Sequence, residues 1–162
     1  MYCIDDHVCG GHIPFREDYK HLREIGFSIV ISLVEDWEYV CYANMNPQEV
    51  IEEAKRNGMI VLRFPTRDGY APDEETLLRI CEIISNNVKQ CRKVYVHCVG
   101  GLGRTPTVLA AYLIYSRGLS AEDALREVMK VNPEMSITEE QYYALKSFEL
   151  MLGKEKHVKN LS

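Results

Sequence analysis

Val94-Tyr-Val-His-Cys98-Val-Gly-Gly-Leu-Gly-Arg104-Thr105 decides how the rest of the chain is read. Val94–His97 is a short β-branched run without alternation, the pattern of a strand buried on both faces. Thr105–Arg117 is apolar nearly all round and stops at Gly118, the pattern of a buried central helix. The three glycines between them let the chain fold back tightly, so that successive backbone N–H groups converge on one anion. The positive end of the helix falls at the same point. A cysteine at the mouth of such a nest is held as thiolate by the same donors. Arg104, six residues on, returns round the loop with a planar fork that takes two oxygens at once, which lysine cannot copy.

Working outward, Ile29–Val34 and Met59–Phe64 are further unalternating strand-length runs, also expected to be buried on both faces. Helical patterns separate the strands. Glu17–Ile25 ends at Gly26, and Pro47–Asn57 has Asn46 as cap, Pro47 at its first position and Gly58 beyond its end. Asp73–Val88 carries Leu77, Cys81, Ile84 and Val88 at helical spacing behind an aspartate cap. Ser120–Val131 and Thr138–Leu152 each open with a hydroxyl residue followed three positions later by an acid or amide, the capping-box pattern. This order predicts an α/β fold: a mostly parallel central sheet, helices on both faces and a helical C-terminal end. With no repeat or linker, residues 1–153 read as a single catalytic domain and 154–162 as a frayed tail.

At 162 residues and a formal net charge of −5, the chain has a core of ordinary size and lacks the basic surplus that sequence-independent nucleic-acid or acidic-membrane binding requires. No apolar run is long enough to span a bilayer, and the start MYCIDDHVCGG has no signal pattern, so a cytoplasmic monomer free of nucleic acid and membrane is expected. The six cysteines, Cys3, Cys9, Cys41, Cys81, Cys91 and Cys98, include no CxxC pair, and most read as small buried hydrophobes. A hyperthermophile origin would change that, since intracellular proteins of such organisms carry disulfides. Cys3, His7, Cys9 and His12 place four metal-ligand types within ten residues, but the paired spacing of a zinc site is missing and the bland reading is a first strand and loop.

The nine residues HCVGGLGRT resemble the HC-x5-R-[ST] signature of cysteine-based protein tyrosine phosphatases, and the strand–loop–helix order is the one that family requires. Chain length and the segment EDWE at Glu35–Glu38 make the chain most similar to the compact dual-specificity-like phosphatases of archaea. The likeness runs from the Gly10-Gly11 turn to the final helix. It implies hydrolysis of phosphate monoesters on phosphorylated proteins, phosphotyrosine first and phosphoserine or phosphothreonine second, through a cysteinyl-phosphate intermediate and without cofactor or metal. Cys98 would be the nucleophile, with the phosphate held by Val99, Gly100, Gly101, Leu102, Gly103 and Arg104. Thr105 would offer its hydroxyl to the cysteine sulfur, easing thiolate departure. His97 would order the loop by hydrogen bonds rather than act as base, the alternative being a satisfied core histidine.

The resemblance also requires a general acid on a second loop. Pro65-Thr-Arg-Asp68-Gly-Tyr-Ala-Pro72 follows the Met59–Phe64 strand, with Asp68 in the acid position. Asp-Gly is by itself a good turn, but ligands of parallel sheets bind at the strands' carboxyl ends, which favours the functional reading. Arg67 adds positive field near the pocket or is a solvated surface charge. Where larger members of the family carry a glutamine that positions the hydrolytic water, this chain has Ile137. Gln141 matches a second family glutamine, and equally the third helical residue of a Thr138 capping box. RNA 5′-phosphate and phosphoinositide hydrolysis remain alternatives of the same mechanism, since relatives sharing this loop use such substrates. A sulfurtransferase or arsenate reductase is disfavoured by Asp68 and Thr105. A binding module without turnover would normally have lost the cysteine, the arginine or the acid.

Overall fold

The computed structural model describes residues 1–161. Five strands, β1 (Tyr2–Cys3), β2 (Val8–Gly11), β3 (Phe27–Ser32), β4 (Ile60–Arg63) and β5 (Lys93–His97), form one sheet in the order β1-β2-β5-β3-β4. Only β1 runs antiparallel, against β2. The other pairs are parallel, with Gly11 and Ser32 opposite His97 at the carboxyl end of central β5. Cys98 therefore leaves the sheet between two neighbouring strand ends, where parallel sheets open a crevice.

Alternation along the strands splits the interior in two. Val8, Ile29, Ile31, Val94 and Val96 face a core built with α4 (Glu74–Lys89), α5 (Arg104–Arg117), α6 (Ala121–Val131) and α7 (Glu139–Leu161). Cys9, Phe27, Val30 and Tyr95 face the other side, covered by α1 (Asp18–Glu24), α3 (Pro47–Arg56) and the segment carrying Tyr39, Ala43 and Met45. The expected α/β architecture with helices on both faces is the one observed. Residues Arg104 to Ile114 of α5 are all buried, as a helix apolar all round requires.

Four features differ from expectation. β4 is an edge strand with an exposed or half-buried pattern, because nothing pairs beyond it, so its apolar run is not buried on both faces. Gly10-Gly11 is not a turn but the end of β2, and close approach explains the second glycine: a Cβ on Gly11 would lie 2.5 Å from the Tyr95 hydroxyl, and one on Gly101, at φ +76°, would lie 2.6 Å from the carbonyl carbon of Gly11. Helix α7 continues through Gly153 to Leu161, where a frayed tail was expected. The Lys and Glu residues after Gly153 are good helix formers and stay solvated. Finally, Cys3 and Cys9 form a disulfide across the β1–β2 pair, and Cys41 and Cys91 are exposed, so Cys81 and Cys98 alone are buried free thiols. Bonded to each other, Cys3 and Cys9 offer no thiolate to the zinc site weighed above.

Candidate active site

The loop Cys98–Gly103 is shaped by where its carbonyls go. Cys98 O faces His97 Nδ1 at 3.0 Å, Val99 O accepts from Ile13 N–H, and Gly101 O accepts from the Tyr2 hydroxyl at 2.8 Å and the Asn132 amide. Leu102 O takes Ser136 N–H and Gly103 O takes both Thr107 N–H and its hydroxyl. Five of the loop's six carbonyls are thus tied to the surrounding fold, and Gly101 N–H donates to the Cys98 sulfur at 3.2 Å. This is the anion nest that the glycine spacing implies.

His97 is wholly buried. Its Nδ1 meets a carbonyl, which can only accept, so the neutral ring carries its proton there and turns an unprotonated Nε2 to Tyr39, 3.3 Å away. Burial, opposed by the Cys98 carbonyl and reinforced by the Arg104 charge, pulls its pKa down to about 4. A neutral histidine bolts the loop to the sheet.

Arg104 is also buried, and its donors can be counted. Nη1 donates to Glu38 Oε2 and to Thr66 O, both at 2.8 Å, while Nη2 donates to Glu38 Oε1 at 2.7 Å. Of the five guanidinium N–H bonds, two remain: Nε–H and the second N–H of Nη2, parallel along one edge. Nε has no hydrogen-bond partner among the protein's groups and lies 3.6 Å from Asp68 Oδ1. The edge left over is the bidentate one. Glu38 was not singled out from the sequence. It closes a short helix, α2 (Asp36–Glu38), whose capping box with Glu35 aims its carboxylate inward, and one π-helical turn, Tyr39–Ala43, follows. Burial alone would push that carboxyl up, but the Arg104 hydrogen bonds, the Glu35 N–H and the Arg104 charge together hold it below its ordinary value. The only available hint was a charged residue in EDWE ahead of a buried strand–loop–helix arginine in need of a counter-charge.

Cys98, Val99, Gly100, Leu102, Gly103, Arg104, Glu38 and Asp68 line one cavity of about 240 Å³, with Trp37 and Tyr42 at its rim. The structure thus brings Cys98, Arg104 and Asp68 together. Asp68 sits on the loop after β4, exposed at the mouth, while Arg67 stacks over Tyr70 at 5.1 Å. Thr105 departs from its expected place: its hydroxyl is buried with no partner among the protein's groups, and its methyl points at Gly10, where a Cβ would come within 2.6 Å. With the methyl seated against β2, the hydroxyl makes no hydrogen bond to the sulfur. Gln141 takes the capping-box reading: its Oε1 accepts Thr138 N–H at 3.0 Å while Thr138 Oγ1 accepts Gln141 N–H. One of its two amide N–H groups goes to Tyr70 O at 3.1 Å.

A cysteine-bearing nest beside a bidentate arginine and a carboxyl, at the carboxyl ends of a parallel sheet, defines a cysteine-based phosphate site. Residues 7–118 match the family model described as "polymorphic toxin system, DSP-PTPase phosphatase", and the chain belongs to this dual-specificity and protein tyrosine phosphatase family. The crystal structure of Tk-PTP in its active form is 38% identical and superposes with a TM-score of 0.81 over 90% of this chain and 93% of that one. The crystal structure of PTPMT1 is 28% identical, with a TM-score of 0.86 over 97% and 99%. Among curated proteins, the phosphatidylglycerophosphate phosphatase PTPMT2 of Arabidopsis thaliana is 28% identical over 90% of this chain, which spans 60% of that protein. Human cyclin-dependent kinase inhibitor 3 is 29% identical over 82% of this chain and 62% of its own length.

Proposed function

We propose that this protein hydrolyses phosphate monoesters on phosphorylated cytoplasmic proteins, phosphotyrosine first and phosphoserine or phosphothreonine second, by way of a cysteinyl-phosphate intermediate. The observation that carries the reading is the convergence of the Cys98 sulfur, the loop N–H groups, the free edge of Arg104 and the Asp68 carboxyl on one cavity. The thiolate of Cys98 attacks phosphorus as the ester P–O bond breaks, and Asp68 gives its proton to the departing oxygen. Water then attacks the phosphocysteine, Asp68 takes back a proton, and the P–S bond breaks to return the thiolate. Throughout, the N–H groups of Val99 to Gly103 and the Nε–Nη2 edge of Arg104 hold the phosphoryl oxygens where charge develops. Thr105 supplies no hydrogen bond to the sulfur, so thiolate departure rests on the Gly101 N–H and the nest.

Cys98→Ser tests the reading: turnover should vanish while tungstate still binds, because the backbone donors and Arg104 survive. Residual activity within tenfold of wild type would sink the cysteine mechanism. A phospholipid monoester is the second reading, favoured by the exposed apolar rim of Trp37, Tyr42 and Leu102 and by relatives named as phosphatidylglycerophosphate phosphatases. Rates on a phosphotyrosyl peptide against a phosphoinositide in vesicles separate the two.

A further inference from the structure

The general acid of such a site needs a fixed position, yet Asp68 has no hydrogen-bonded partner of its own beyond the 3.6 Å approach to Arg104. The loop that carries it is bracketed instead. On its near side Thr66 N–H donates to Leu33 O at the end of β3, and Thr66 O is held by Arg104. On its far side the two carbonyls immediately after Asp68 are both taken by the first turn of α7: Gly69 O by the Thr138 hydroxyl at 2.6 Å and Tyr70 O by the Gln141 amide at 3.1 Å. The same segment reaches the phosphate loop, through Ser136 N–H on Leu102 O and through the Gln141 carboxamide, which a Cβ on Gly103 would meet at 3.6 Å.

Gln141 is 1% exposed, and its two partners fix its orientation, since an N–H must face its oxygen and a carbonyl its nitrogen. Both ends are used. One N–H and one lone pair of the carboxamide lie beyond these two bonds, and the two bonds made fix the group between the helix cap and the Asp68 loop.

We infer that Thr138 and Gln141 are positioning residues that hold the Asp68 loop against the phosphate loop, so that the acid reaches the leaving oxygen without closure of a mobile lid. The inference rests on the phosphatase reading of the site. Each contact is a single neutral hydrogen bond, so its loss is a matter of about tenfold at most in rate.

Gln141→Glu is the discriminating variant, because its carboxylate still caps Thr138 N–H but replaces the donor to Tyr70 O with a repelling oxygen. Expected is a loss of about tenfold in kcat/KM on phenyl phosphate, whose basic leaving group needs the acid, and under threefold on an activated aryl phosphate. Thr138→Val should behave alike, and Thr138→Ser should restore the rate. The alkaline limb of the phenyl phosphate pH–rate profile, which reports the acid, should flatten in Gln141→Glu. An equal loss on both substrates, or no loss on either, overturns the inference while leaving the phosphatase reading intact. Absence of turnover by the wild-type protein on both substrates overturns the reading and the inference together.

Discussion

Cys98–Gly103 gives up five of its six carbonyls to strand, helix and loop partners, whereas Pro65–Pro72 is fastened at its root and its far end and leaves Asp68 with 82% of its side chain exposed. The two loops line one cavity but answer to different demands. A nest that stabilises developing charge works only if its dipoles are aimed beforehand, so its backbone must be over-determined. A proton donor must instead meet a leaving group that varies in size and enters from solvent, so its side chain stays free and only its backbone is held.

The comparison breaks most sharply with Arg104→Lys against Asp68→Asn. A lysine cannot hold Glu38 and Thr66 O and still present two parallel donors, so a loss of about a thousandfold or more in kcat is expected, alike for all leaving groups. A loss confined to KM would contradict that role.

For Asp68→Asn the loss should grow with leaving-group basicity, reaching one to two orders of magnitude on phenyl phosphate. An activated aryl phosphate should show a burst of phenol and then slow turnover, since the proposed mechanism gives Asp68 the role of base in the second step and Ile137 has no polar group to orient water. Equal losses across leaving groups without a burst would reduce Asp68 to a turn residue. Rapid mixing with a series of aryl phosphates reads both variants.

How much of this was legible in the sequence follows the same division. The phosphate loop is contiguous, and glycine spacing, strand and helix patterns all bear on one short segment, so Cys98 and Arg104 could be picked out together. The core faces were legible for the same reason, as local periodicity. What depends on distant partners was not. Glu38 lies 66 residues from Arg104 and reads as one more acid in a polar segment. The Cys3–Cys9 disulfide needs the antiparallel turn of β1, too short to show a pattern. The Thr105 rotamer is set by the packing of α5 on Gly10, which no spacing reveals.

A smaller effect concerns the neutral His97 beneath the phosphate loop. Its pKa falls from the ordinary value of 6.5 to about 4 on folding, so between those values the unfolded chain binds more protons than the native one. The stability this group contributes is complete above pH 6.5 and is lost as pH falls toward 4, by roughly 3 kcal/mol in all. Urea midpoints should decline across that window, and His97→Asn should flatten the decline. An unchanged slope in His97→Asn would show that other groups carry the pH dependence.

The smallest expected effect tests how far the bracing of the phosphate loop extends. Tyr2 donates to Gly101 O from the two-residue strand β1, which is held to β2 by its pairing and by the Cys3–Cys9 disulfide. The Asn132 amide also reaches Gly101 O, at 3.3 Å, so Tyr2→Phe leaves the carbonyl one partner. A loss of about threefold in kcat is expected, and because the nest acts in every step it should be equal on phenyl phosphate and on an activated ester, unlike the selective losses of the acid loop. Removing the disulfide with Cys3→Ser and Cys9→Ala should loosen β1 and give a loss of the same kind. If the disulfide acts on the site through Tyr2, that loss should largely disappear when the same changes are made in the Tyr2→Phe background, since residues in one network do not add. Full additivity would mean that the disulfide supports the sheet edge alone and that bracing of the phosphate loop ends at Tyr2.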